Sequence, residues 1–451
     1  MSDLNIEDIA EKGGGVLFSN IPTFKTSGLS IDSRLIEKGN IFIALKGPNF
    51  DGHNFLTEAG LKGASAFVVE KRIESKKPYI LVKSTYKFLD LLAKEQRRAF
   101  KGQIIGLTGS NGKTTTKEIV YHLLSTQGKC HKTHGNQNNH IGVPLSLSSI
   151  ENDFNFSVIE IGTNSPGEID HLSKITRPDI ALITNAAASH LKGLGSIKAV
   201  AKEKGSILQN IKGNGAAVLP RDSEFYPYWK SLINHKRLVT FGFNEESDIV
   251  LRNSKVDLFN NSTLFKVSFR GKEIKFSMNG LGAQNSLNAC AALAVGVVLD
   301  LDLYELSSNL SNILLPDRRL SSYKGINGST LIDDSYNSNP HSMKAAIDVI
   351  SNLQEKKSIF VAGQMGELGR KEQKFHTEIC KYAKDKIDMF LCVGSLWIEG
   401  LKYLGNTGKI FDSNEDLFQY VVKILDKNSV VVVKGSRSTN MDVISDKLKG
   451  Y

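Results

Sequence analysis

The chain has 451 residues, 40% of them hydrophobic and 23% charged, an ordinary globular composition long enough for about three domains. Its best apolar run, Ala289 to Leu299, falls short of the roughly 20 residues a membrane helix requires, and an acidic start (Asp3, Glu7, Asp8, Glu11) is unlike a secretory signal. The net charge of +10 fits anionic ligands, whether nucleotide phosphates, carboxylates or nucleic acid, and its spread along the chain without a basic track argues against a nucleic-acid motor.

Residues 1–101 read as a small mixed α/β unit. Strands are predicted at 41–45, 66–69 and 80–82, then a helix at 86–100, with the basic stretch Arg97 to Lys101 as a linker. Residues 102–315 alternate strands (104–107, 157–161, 180–184, 216–219) with helical patterns, which argues a mostly parallel sheet covered by helices. A β-rich section at 264–269 and 273–278 precedes an Ala-rich helix at 284–298, and Leu315-Pro316-Asp317 marks a boundary. Residues 316–451 repeat the rhythm, with strands at 330–333, 358–361, 389–393 and 430–433. Four consecutive valines in the last read as a strand buried on both faces. The expected fold class is therefore α/β in three domains: a mixed N-terminal unit, a central phosphate-loop ATPase-like unit and a Rossmann-like C-terminal unit. Four cysteines without C-x-x-C spacing read as buried, reduced thiols of a cytoplasmic protein.

The most informative stretch is Ile104 to Thr115. An apolar strand runs into Thr108-Gly109-Ser110-Asn111-Gly112-Lys113-Thr114-Thr115. Glycines let backbone N–H groups wrap phosphate oxygens at a helix start. Lys113 would reach the β/γ-phosphates and Thr114 would offer its hydroxyl to Mg²⁺. Leu107 stands where the strict pattern has its first glycine. Glu160 ends the strand at 157–161, where a carboxylate can hold Mg²⁺ or simply emerge at the sheet edge. His190 follows the strand at 180–184, as a metal ligand or a surface histidine. Lys202, on a helical segment, reads by itself as a solvated residue. Asn285 and Asn288 share a helix face and could cap it or read a base edge. Arg319 suits forked phosphate recognition or a surface ion pair. The polar turn Asp333 to Pro340 could face a ribose or cap the next helix.

Together these segments resemble the Mur ligase family of cell-wall enzymes. Beyond the phosphate loop, the resemblance is carried by Asn136-Gln137-Asn138-Asn139-His140, by Glu160-Ile161-Gly162-Thr163-Asn164, by His190-Leu191-Lys192-Gly193 and, near the end, by Asp334 to Pro340 and Lys434-Gly435-Ser436-Arg437-Ser438. Asp32-Ser33-Arg34, Ala44 to Gly47 and Asp51-Gly52-His53 are similar to the part that receives a UDP-sugar. The resemblance implies an ATP-dependent amide-bond ligase. ATP phosphorylates a carboxylate of UDP-N-acetylmuramoyl-tripeptide, and D-alanyl-D-alanine attacks the acyl-phosphate. It implies ATP contacts by Thr108 to Thr115, Asn288, Arg319 and Asp334, and Mg²⁺ (two ions) on Thr114, Glu160 and His190. Lys202 would carry a CO₂ adduct, which turns an ammonium into a carboxylate. Asp32, Ser33, Arg34, Asn138 and Asn139 would meet the UDP substrate. Lys434 and Arg437 are candidates for the dipeptide carboxylate. A monomer with small-molecule partners only is expected. Two departures stand out: Asp317-Arg318 replaces Pro-Gly, so Arg318 competes with Arg319, and Gln364 replaces an acidic residue. A folylpolyglutamate-type ligase shares the phosphate loop and is the alternative within the enzyme class.

Overall fold

The computed structural model describes residues 4–450 except 235, 259, 354 and 355. Three sheets follow one another along the chain. The first has five strands in the order Val16–Phe18, Tyr79–Leu81, Ala66–Val69, Asn40–Ile43, Gly28–Ser30. All pairs are parallel except the first. Asn40–Ile43 and Ala66–Val69 are buried at every position, as parallel strands covered on both faces must be. The helix Thr85–Ala99 starts at Ser84, whose hydroxyl accepts from Lys87 N–H. It buries Phe88, Leu89 and Leu92 and packs on the helices Gly142–Ser148 and Glu168–Thr176 of the central unit.

In the basic stretch at its end Arg98 and Lys101 are exposed, but Arg97 is not. Arg97 is 3% exposed. Its guanidinium donates to the Thr176 carbonyl (2.9 Å), the Arg177 carbonyl (2.8 Å) and Asp179 (2.8 Å). Burial forces a guanidinium to find such partners, so this arginine anchors the first unit to the second. Arg97→Ala leaves Asp179 and two carbonyls short of a donor. We expect a loss of about 3–5 kcal/mol, read as a lower urea midpoint; a midpoint within error of the parent would refute the anchor.

The central sheet has nine strands in the order Lys272–Asn279, Ser262–Phe269, Ile249–Asp257, Arg237–Gly242, Ala216–Pro220, Ile180–Ile183, Gln103–Thr108, Phe156–Glu160, Cys130–Lys132. It is parallel from Ile249–Asp257 onward and antiparallel in the first three. Gln103–Thr108 lies between Ile180–Ile183 and Phe156–Glu160, and the chain places later strands on either side of it. That is a switch point, where ligands bind at the carboxyl ends of strands. Alternate strand residues feed two cores. Ile105 and Leu107 pack with the helices Lys113–Ser125 and Ala283–Val298; Ile104 packs with Glu168–Thr176 and Ile197–Gln209.

The third sheet has six strands: Ser321–Lys324, Thr330–Asp334, Ser429–Lys434, Lys357–Ala362, Met389–Val393, Gly408–Phe411. Only the edge strand Ser321–Lys324 is antiparallel. Val430 and Val432 enter one core and Val431 and Val433 the other, which makes this a doubly wound, Rossmann-like unit. The fold is α/β in three units, and the four cysteines are buried and free. Burial raises every thiol's pKa, that of Cys130 to about 12, so none is a ready thiolate.

Candidate active site

A cleft of about 750 Å³ opens between the central and C-terminal units, lined from one side by Ser110 to Thr115, Glu160 and His190 and from the other by Arg319, Asp334 and Glu367. The phosphate loop leaves Gln103–Thr108 and enters the helix Lys113–Ser125, whose first turn has no side-chain cap. Its N–H groups are thus free for an anion. Gly112 has φ +77°, and a Cβ there would lie 2.2 Å from Asn288 Oδ1. At Gly109 a Cβ would lie 1.8 Å from Thr184 Oγ1. Only glycine lets Asn288 and Thr184 pack this tightly on the loop. Asn111 N–H donates to Asn185 Oδ1 (2.9 Å), and Thr184 Oγ1 donates to the Asn111 carbonyl (2.6 Å). Lys113 Nζ donates to the Gly109 carbonyl at 2.7 Å, and burial holds its pKa below the usual lysine value.

Glu160 ends its strand 1% exposed. Its Oε1 accepts from Asn138 Nδ2 (2.7 Å) and Thr114 Oγ1 (3.3 Å). Its Oε2 has no hydrogen-bond donor among the described residues; the buried Lys117 ammonium stands 3.8 Å away. An orphaned buried carboxylate oxygen beside a hydroxyl is the donor chemistry of a hard cation, so Thr114 and Glu160 fit Mg²⁺. His190 lines the same cleft. It has φ +52° and its Nδ1 lies 2.6 Å from Glu367 Oε2 across the domain boundary. The hydrogen bond from His190 lowers the Glu367 pKa. Among the described residues no three His, Cys, Asp or Glu side chains form a metal cluster of their own. Phosphate and water oxygens would have to complete the shell, which is the usual habit of Mg²⁺.

The C-terminal unit supplies the opposite wall. Arg319 Nη2 donates to Thr114 Oγ1 at 3.1 Å, and its guanidinium lies 4.1 Å from the Tyr336 ring centroid. Arg318 turns away and pairs with Asp442 (2.6 Å) and Asp446 (2.8 Å). Of the two competing arginines, Arg319 therefore faces the phosphate loop. Asn339 Nδ2 donates to Asn111 Oδ1 at 2.6 Å, a further tie across the cleft. Asp334, with its pKa raised by burial, pairs with Lys434 at 2.5 Å. Lys434 is 1% exposed and donates also to the Asn337 carbonyl, so it is already spent. Arg437 is the accessible cation of the pair, its side chain 68% exposed and its Nη1 2.7 Å from Asp442.

Of the other sequence candidates, Asn139 and Asn285 line the cleft, whereas Lys202 and the segment Asp32 to Arg34 lie apart. Lys202 is on the exposed face of Ile197–Gln209 and does not line the cleft. Lys204, two residues on, is 1% exposed, and burial with the nearby Lys113 charge holds its pKa well below the usual value. Thr108 is fully buried at the strand end. Asn139 uses its Oδ1 to accept from Ile141 and Gly142 N–H, and Asn285 bonds back to the Leu281 carbonyl. Asp32 and Arg34 form a two-bond pair (2.9 and 2.7 Å) beside the buried Ser33, outside the cleft. That pair lowers the Asp32 pKa to about 2. Gln364, oriented to satisfy both ends of its amide, accepts from Ser395 and Leu396 N–H (3.1 and 2.9 Å) and closes a turn without an acidic residue.

Three family descriptions match in chain order: "Mur ligase family, catalytic domain" over 25–97, "Mur ligase middle domain" over 107–296, and "Mur ligase, glutamate ligase domain" over 318–437. A UDP-N-acetylmuramoyl-tripeptide–D-alanyl-D-alanine ligase of Buchnera aphidicola is 34% identical, covering 100% of this chain and 99% of its own. Among solved structures, MurF from Acinetobacter baumannii superposes with a TM-score of 0.90 at 28% identity, covering 98% of both chains. MurF from Thermotoga maritima, solved in complex with ADP, gives 0.82 at 28% identity over 94% of this chain and 97% of its own. The phosphate loop, Glu160 and His190 fall inside the middle-domain match and Arg319 inside the third; with these matches in all three units, the chain belongs to the Mur ligase family.

Proposed function

We propose that this chain is an ATP-dependent ligase that joins D-alanyl-D-alanine to UDP-N-acetylmuramoyl-tripeptide, a cytoplasmic step in building peptidoglycan precursors. The observation that carries this reading is the convergence of Lys113, Thr114, Glu160 and Arg319 from two units on one cleft. We divide the chain into 1–101 for the UDP-sugar, with Asp32, Ser33 and Arg34, then 102–315 for ATP and 316–451 for the dipeptide. It acts as a monomer on small molecules. The folylpolyglutamate-type alternative is not favoured, since the relative matched end to end carries the dipeptide ligase's name.

The tripeptide carboxylate is a poor electrophile. Its oxygen attacks the γ-phosphorus of ATP, the bond to the β-phosphate oxygen breaks, and ADP leaves. The dipeptide amine then attacks the acyl carbon, loses a proton, and phosphate departs. Lys113 turns from the Gly109 carbonyl to the β/γ-phosphates, while loop N–H groups and Arg319 hold the phosphate oxygens in line. Mg²⁺ on Thr114, Glu160 and His190 would offset charge on the phosphoryl oxygens. Asn138 keeps Glu160 aimed; Asn139 faces the substrate. Asn288 steadies the loop beside the base, and Asp334 sits at the ribose side. The CO₂ adduct belongs on Lys204 rather than Lys202, because a neutral buried amine can attack CO₂ and the resulting carbamate would face Lys113.

The defining assay is ADP release with UDP-muramoyl-tripeptide. It should require D-alanyl-D-alanine; equal turnover with D-alanine, L-alanine or glutamate would overturn the dipeptide assignment. A dipeptide carries its carboxylate further from the attacking amine than a single residue does. Arg437 is our candidate for receiving it by a forked contact. Arg437→Ala should raise the dipeptide KM about tenfold, the effect of losing one charge-assisted hydrogen bond, with the ATP KM unchanged. Equal rises in both would refute this role.

A further inference from the structure

Glu367 reaches the cleft from the C-terminal unit and ends 2.6 Å from Nδ1 of His190 in the central unit. Neither charge nor motif spacing explains why it stands there. The Glu367 side chain is 58% exposed, and such a pair is worth about 0–1 kcal/mol. It does not hold the domains together. Backbone contacts bring the turn in: Lys192 N–H donates to the Glu367 carbonyl at 3.1 Å, and a Cβ on Gly369 would sit 3.6 Å from the Leu191 carbonyl oxygen. The two side chains are then aimed by unusual backbones. His190 has φ +52° and Glu367 φ +60°, a left-handed conformation that costs a non-glycine residue about 1–2 kcal/mol. Two such residues meeting across a domain boundary mark a place where strain is tolerated for geometry.

We propose that Glu367 is a positioning residue: its carboxylate fixes the His190 ring so that Nε2 faces the cleft, and does so only when the two units are closed on one another. A carboxylate can only accept, so Nδ1 carries the hydrogen, and in the neutral ring this leaves the Nε2 lone pair free. Orienting an imidazole through its other nitrogen is how a carboxylate sets up a metal-binding histidine, and removing such a partner costs about 10–100-fold in metal affinity. The donor comes from one domain and its orienting partner from the other. Cation affinity is thereby tied to closure, which keeps the cation site incomplete while substrates enter. This inference rests on the Mg²⁺-dependent ligase reading and adds to it a residue outside the phosphate loop.

The test uses the full chain with Mn²⁺ as a paramagnetic stand-in and the imido analogue of ATP, so that no turnover is involved. Free Mn²⁺ is counted by electron paramagnetic resonance. Glu367→Ala should weaken Mn²⁺ binding in the nucleotide complex about tenfold with an unchanged melting temperature. Glu367→Gln, whose amide oxygen still accepts from Nδ1–H, should keep most of it. In turnover, Glu367→Ala should lower kcat while the ATP KM holds. Equal Mn²⁺ affinity in the parent and Glu367→Ala overturns the positioning role alone. A parent that binds no Mn²⁺ with the nucleotide overturns the ligase reading and this inference together.

Discussion

Replacing Lys113 with alanine should abolish turnover and leave the fold standing. The ammonium makes one hydrogen bond in the resting loop, to the Gly109 carbonyl at 2.7 Å, and a single such bond contributes about 1 kcal/mol. The loop has other braces: Asn111 is held from Asn185 and Thr184, and Gly112 packs on Asn288. Melting should therefore shift little. The transferring phosphoryl group, by contrast, gathers charge that Lys113 alone among the loop side chains can meet with a full positive charge. Loss of one such donor costs about 10²–10³-fold in kcat. The check is ADP release at saturating tripeptide, dipeptide and ATP, with a thermal melt of the same sample. Activity within tenfold of the parent would refute the phosphate-loop role of this lysine.

The C-terminal unit closes over the site of that lysine. Three side-chain contacts cross the cleft in this structure: Arg319 to Thr114, Asn339 to Asn111, and Glu367 to His190. Each joins a residue of the C-terminal unit to one that touches or flanks the phosphate site. Nucleotide bound between them would be enclosed by both units, which excludes water from the reactive acyl-phosphate. Each pair is one hydrogen bond at a partly exposed boundary, so each adds little stability. Their common effect is alignment.

How much of this was legible in the sequence depended on how local the cause was. The phosphate loop was readable because its chemistry sits in eight consecutive residues, with glycines where φ is positive or side chains crowd. The strand Ser429–Lys434 was readable because four valines have no other reasonable place than between two helix layers. Short edge strands were not. Val16–Phe18 and Gly408–Phe411 have three and four residues and exposed positions, too few for a period-2 pattern to stand out. Arg97 read as part of a linker because its partners, Thr176, Arg177 and Asp179, lie far along the chain. The pairing of Glu367 with His190 is hidden for the same reason, and so is the spending of Lys434 on Asp334. Lys204 is a different failure. Val200, Ala201, Ile207 and Leu208 define the buried face of Ile197–Gln209. Lys204 lies four residues after Val200 and three before Ile207, on that face, while Lys202 does not. Helical phase alone would have pointed to the buried lysine.

That phase makes a large difference between two neighbouring substitutions. Lys202→Ala removes an exposed side chain and should leave activity intact. Lys204→Ala removes one that is 1% exposed and sits close enough to Lys113 for the two charges to depress its pKa. A bare ammonium there is unfavourable, first because it is buried and then because Lys113 is near; Glu203, which accepts from Gly167 and Ile169 N–H at 2.8 Å, offsets this only in part. Carbamylation resolves the conflict by turning the positive charge into a negative one facing Lys113. Lys204→Ala should therefore lose about a hundredfold in kcat, the scale of one preorganised electrostatic group. Formate or acetate should restore part of it by occupying the vacated carboxylate position, and should do nothing for Lys113→Ala. Labelled bicarbonate gives a readout without turnover. A ¹³C carbamate resonance should be present in the parent and in Lys202→Ala and absent in Lys204→Ala. A fully active Lys204→Ala, or a carbamate signal lost only in Lys202→Ala, would return the buried lysine to a packing role.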